Sequence, residues 1–129
     1  MVLIVIGVQL FINIPFTYFV GGGDWTSNIS FLFLFMAVCA APVLEEFVFR
    51  GMFLRALLSK YSDKISILIS SILFALIHFH PIQMFGALFL GLYFGYVFTK
   101  TKSLTTVIIL HMIANLIGIV AMYSVQVLF

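Results

Sequence analysis

Charge is scarce in this chain: Lys and Arg number 6 and Asp and Glu 4 among 129 residues, or 8% of the whole. Soluble domains carry about 25% charged and about 45–50% apolar residues, whereas this chain is 64% hydrophobic. A soluble domain is excluded. Cysteine is reduced to Cys39 alone, so no intrachain disulfide can form, and its place in an apolar run reads as packing. A net charge of +2 is too small for a nucleic-acid footprint. The opening MVLIVIGVQLFINIPF has no basic n-region, which argues for a retained membrane helix rather than a secretory signal. Alternation is missing too. FLFLFMAV and SILISSILFAL are apolar runs without a period of two, against a transmembrane barrel.

What is present is a series of apolar stretches, and about 20 such residues cross a bilayer as a helix. The first runs from Val2 to Val20 and stops at the turn-rich GGGDWTSN, with Trp25 at the interface. A second, short segment from Ile29 to Ala41 meets Pro42, which removes a backbone donor and suits the first turn of a new helix. A break is therefore expected at Ala41-Pro42, with the next helix over Val43–Lys60. Helices over Ile65–His78, Ile82–Phe98 and Leu104–Val127 follow, separated by the SKYSDK loop, a His80-Pro81 turn and TKTKS. The fold class is an all-α, polytopic transmembrane bundle of about five to six helices, some short or broken. It reads as one membrane-embedded domain over residues 1–129, multi-pass in the cell membrane.

Basic residues set the orientation. Arg55, Lys60 and Lys64 mark one connection and Lys100 and Lys102 another, with two crossings between them. Both connections then lie on the cytoplasmic side. Gly91 and Gly95 form a small-xxx-small pattern expected to pack within the bundle.

Against this background APVLEEFVFRG, residues 41–51, is anomalous. Glu46 and Arg50 are spaced i, i+4 and can pair on one helix face, while Glu45 is rotated about 100° away. A buried carboxylate must be paired or protonated, so Arg50 is expected to neutralise Glu46 and leave Glu45 for chemistry. Glu45 lies 17 residues before Ser62 and His78 lies 16 after it, which in an antiparallel pair means equal depth. His111 lies eight residues past Ser103, about 10 Å short of that depth, and Asn115 is one turn deeper on the same face. Ionisable groups within a membrane mark functional sites.

A carboxylate and a histidine at one depth can deprotonate water. An imidazole and a carboxamide on one face can hydrogen-bond an oxyanion. The set Glu45, His78, His111 and Asn115, supported by Glu46 and Arg50, thus reads as a peptide hydrolase whose nucleophile is water. Covalent catalysis is disfavoured, because no serine sits in a G-x-S-x-G elbow and Cys39 has no evident base. HExxH is absent, yet His78, His111 and a glutamate could hold zinc. A metal-free site is favoured, because Asn115 suits an oxyanion hole better than a zinc shell. A non-catalytic binding or immunity protein is a further reading. A proton-coupled transporter ranks last, since so short a chain leaves little room for inverted repeats.

These motifs resemble those of the CAAX prenyl endopeptidase and bacteriocin-processing (CPBP, or Abi) family of intramembrane proteases. EExxFRG matches Glu45, Glu46, Phe49, Arg50 and Gly51; SxxFxxxH matches Ser71, Phe74 and His78; HxxxN matches His111 and Asn115. The match covers about residues 30–120, and LGLYFGYVFTKTKSL resembles the family's glycine-bearing helix and loop. The resemblance implies that Glu45 and His78 activate water, that His111 and Asn115 hold the oxyanion, and that Glu46 and Arg50 support them. It implies a peptide or protein substrate, with bacteriocin processing or self-immunity as bacterial roles. Family members usually carry more helices before the EE motif, so a partner chain or oligomer is expected to cover the exposed side, with lipid around the rest.

Overall fold

The computed structural model describes residues 31–128, and within them the chain is helical. The apolar segment expected over Val2–Val20 and the GGGDWTSN loop lie outside the described residues. Four helices follow in order: α1 (Phe31–Leu58), α2 (Asp63–Leu76), α3 (Pro81–Thr101) and α4 (Leu104–Leu128). Helices α1, α3 and α4 are long and apolar enough to cross a membrane. The chain is therefore a multi-pass membrane protein. Four helices replace the five segments expected from Ile29 onward, because two of those are one helix.

The break expected at Ala41-Pro42 is absent. α1 continues through Pro42 because the turn just before it, Met36–Ala40, is wound as a π-helix. The Ala41 N–H bonds back to the Met36 carbonyl, five residues away. Widening the turn accommodates a residue that has no N–H and whose ring would clash in an α-helix. A second π stretch covers Phe47–Leu54.

α2 shows the inverted pattern of a helix in lipid. Ser66, Ser70, Ser71, Phe74 and Ala75 are buried, while Ile65, Leu68, Ile72, Leu73 and Leu76 are exposed. Lipid tails are as apolar as leucine, so small and hydroxyl-bearing residues occupy the interface, where backbones approach closely. At 14 residues α2 reaches only about 21 Å. The chain reverses through Ile77–His80, with Phe79 at φ 55°, and re-enters α3 on Pro81 at its first turn.

The α2–α3 hairpin depends on two glycines. A Cβ on Gly91 would lie 3.0 Å from Ser71 Cβ and 3.2 Å from Ser71 Cα, and one on Gly95 only 2.9 Å from Ile67 Cγ2. The small-xxx-small pattern thus packs within the bundle. α3 ends at Lys102, which takes the left-handed conformation (φ 55°) and donates its N–H to the Phe98 carbonyl.

α4 returns antiparallel to α1. Leu104 lies nearest Gly51, and Ile119 and Met122 pack on Phe33 and Ala37. α4 therefore begins beside the middle of α1's second half rather than level with Leu58. The shift removes the depth mismatch that residue counting gives for His111.

Candidate active site

α1 delivers Glu45, Glu46 and Arg50 inward at the junction between its α-helical Ala41–Glu46 turn and the π stretch beyond. All three are buried. The pair expected from their spacing forms, with Arg50 Nη1 donating to Glu46 Oε1 at 3.0 Å. The rest of the guanidinium is held by α2 and α3. Nη2 donates to the Gly91 carbonyl at 2.9 Å, and the Phe74 and Phe94 rings face the guanidinium carbon at 4.6 and 5.7 Å. Arg50 thus ties three helices at one point, a role that its spacing from Glu46 could not disclose.

His111 enters from α4 and lies between the two carboxylates. Its Nδ1 donates to Glu46 Oε1 at 2.8 Å, and its Nε2 is 3.6 Å from Glu45 Oε2. Glu46 Oε1 therefore accepts from both Arg50 and His111. Two carboxylates beside one guanidinium leave one negative charge to balance in a low-dielectric interior.

His78 lies just past the end of α2 and is half-buried. Its Nδ1 donates to the Phe74 carbonyl at 2.9 Å, which leaves Nε2 as the acceptor. Phe74 stands edge-on to both imidazoles, at centroid distances of 4.9 Å to His78 and 5.7 Å to His111. Phe94 covers His111 from α3 at 5.1 Å. Sequence reasoning gave Phe74 a place in a motif but no task, and it missed Phe94 altogether. Both act through cross-helix packing, which leaves no trace in residue spacing.

Asn115, half-buried one turn beyond His111, donates from Nδ2 to the Ala37 carbonyl at 2.9 Å. The structure therefore gathers Glu45, Glu46, Arg50 and His111 into one cluster, sets His78 against the edge of the Phe74 ring that also touches His111, and turns Asn115 toward the backbone of α1. Among the described residues no three His, Cys, Asp or Glu side chains are arranged to hold a metal ion. His111 meets both carboxylates directly, and both imidazoles lie against the Phe74 ring.

These features define a membrane-embedded helix bundle with a buried carboxylate, imidazole and guanidinium cluster. Residues 27–117 match the family described as type II CAAX prenyl endopeptidase Rce1-like. The chain is also 30% identical over 126 residues to the membrane-embedded CAAX protease MroQ of Staphylococcus aureus (strain USA300), a match covering 83% of this chain and 49% of MroQ. The chain belongs to the Rce1-like CAAX endopeptidase family. It spans about half the length of the curated relative it matches. No solved structure matches it.

Proposed function

We propose that the chain is an intramembrane endopeptidase that hydrolyses a peptide bond with a water activated by Glu45 and His78. The observation that carries this reading is the bridge Glu45–His111–Glu46. It sets an imidazole between two buried carboxylates, groups of the kind proton transfer requires, on a chain otherwise almost free of charge. Glu45 takes the proton from water, while the Nε2 of His78 accepts a hydrogen bond from the same water, as its oxygen bonds to the scissile carbonyl carbon. The carbonyl oxygen gathers negative charge and accepts hydrogen bonds from His111 and from the Asn115 amide. When the C–N bond breaks, the proton held by the base passes to the leaving nitrogen. Glu46 and Arg50 fix the imidazole from behind and keep the net charge of the pocket low.

No metal is required in this scheme. The proposed substrate is a peptide or protein chain presented at the membrane, and the proposed cellular role is bacteriocin processing or self-immunity. The test uses the full chain in liposomes with a fluorogenic peptide ending in an S-farnesylated CAAX sequence. Removing a group that takes part in proton transfer costs about 10²–10⁴ in rate, so Glu45→Gln and His78→Ala should each abolish measurable cleavage while the proteins still insert. Wild-type rates in both variants would sink the assignment. Protection from a bacteriocin that survives Glu45→Gln would move the chain to the class of non-catalytic binders.

A further inference from the structure

The hydrogen bond from Asn115 to Ala37 has a cause in the backbone of α1. In an α-helix the Ala37 carbonyl would accept from the N–H of residue 41, and in a π-helix from that of residue 42. The Ala41 N–H is directed to the Met36 carbonyl instead. Residue 42 is proline and has no N–H to give. Ala37 is 2% exposed, so its carbonyl cannot turn to solvent. The acceptor that helix geometry abandons at this point is the one that Asn115 Nδ2 reaches.

We infer that Pro42 is a positioning residue: it frees the Ala37 carbonyl as an anchor for the Asn115 amide and thereby sets the depth and rotation of α4 at the site. An amide nitrogen carries two hydrogens. One is spent on Ala37, and the direction of the other is then fixed. His111 is four residues earlier on the same helix face, so the same anchor holds the imidazole against Glu45 and Glu46. The apolar partners of α4 here, Ile119 and Met122 on Phe33 and Ala37, make non-directional contacts, whereas the hydrogen bond from Asn115 Nδ2 to the Ala37 carbonyl is directional and specifies one register.

The consequence for catalysis rests on the endopeptidase reading; the anchor itself does not, and the two are tested separately. For the anchor, thermal unfolding of the full chain in detergent micelles is measured for wild type, Pro42→Ala, Asn115→Ala and the double variant. Asn115→Ala strands a buried carbonyl and should lower Tm by about 4–8 °C. In the Pro42→Ala background the helix supplies its own donor to Ala37, so the same substitution should cost less than half as much. Additive shifts overturn the inference. The second readout needs no variant that could fail to fold. In the wild-type chain labelled with ¹⁵N-asparagine, the Asn115 side-chain amide should exchange with D₂O at least about tenfold more slowly than a free carboxamide, and exchange at the free rate overturns the anchor.

For positioning, Pro42→Ala should lower kcat on the farnesylated CAAX probe about tenfold, with KM unchanged, although alanine is the better helix former and Tm does not fall. An unchanged kcat overturns the positioning role. A wild-type chain that leaves the probe intact counts against the endopeptidase reading, while the unfolding cycle still decides the anchor.

Discussion

Arg50 is the residue whose loss the structure prices most directly. Its guanidinium is fully buried, donates to Glu46 and to the Gly91 carbonyl, and is faced by the Phe74 and Phe94 rings. Arg50→Met fills similar volume but leaves the Glu46 carboxylate with only His111 against it. Breaking a buried pair by removing one partner costs about 3–5 kcal/mol, chiefly because the surviving charge is uncompensated. The stranded Gly91 carbonyl falls within the same range, so Arg50→Met should lower stability by about 4 kcal/mol, close to a thousandfold in the folded-to-unfolded ratio. Arg50→Lys keeps the charge but cannot fork to Glu46 and Gly91 together, and should cost about 1–3 kcal/mol. Adding Glu46→Gln to Arg50→Met removes the stranded charge, while the new amide oxygen still accepts from His111 Nδ1. Replacing both members of a buried pair is often close to neutral, so the double variant should recover at least about half the loss. Reversible unfolding in mixed micelles, titrated with sodium dodecyl sulfate and followed by circular dichroism, gives all four stabilities on one scale. A double variant no more stable than Arg50→Met would refute the reasoning, because the cost would then lie in packing rather than charge.

Other substitutions probe the remaining parts. Gly91→Ala sets a methyl against the Ser71 backbone, which cannot yield, and should destabilise the chain by about 1–3 kcal/mol in the same titration. Gly95→Ala meets Cγ2 of Ile67 at 2.9 Å, and that β-branched side chain is held near one rotamer in a helix, so it should cost about as much as Gly91→Ala. Cleavage by the liposome-embedded chain should be insensitive to chelators such as 1,10-phenanthroline, with Glu45→Gln as the inactive control; loss on chelation with recovery on added zinc would require a metal-dependent route.

The polar residues were legible because lipid makes them expensive. Glu45, Glu46, Arg50, His111 and Asn115 stood out in a chain with 8% charge, and the i, i+4 spacing of Glu46 and Arg50 gave their pairing outright. The relation between helices was less legible. Counting from the loops assumes that all helices start level, but α4 starts beside Gly51, which brings His111 level with the glutamates. Pro42 misled for a different reason. Proline states that a donor is missing, not how the helix responds, and here α1 widens its turn instead of ending. The partners of Arg50 on α3 were invisible because one is a backbone carbonyl and the other a phenylalanine among 16.

The way α4 is held explains why site and fold share residues. Only 11% of its most apolar window is buried, against 33% for α1 and for α3. Packing alone therefore secures it weakly, and lipid supplies no hydrophobic drive toward its neighbours. Two hydrogen bonds between α4 and α1, from His111 to Glu46 and from Asn115 to Ala37, fall at the candidate site. A substitution at either position thus acts twice, on the chemistry and on the docking of the helix that carries it. His111→Ala and Asn115→Ala are ambiguous tests of catalysis for that reason. Glu45→Gln is the sharper one: it keeps the shape of the side chain and leaves both of those hydrogen bonds in place while removing the carboxylate that the chemistry needs.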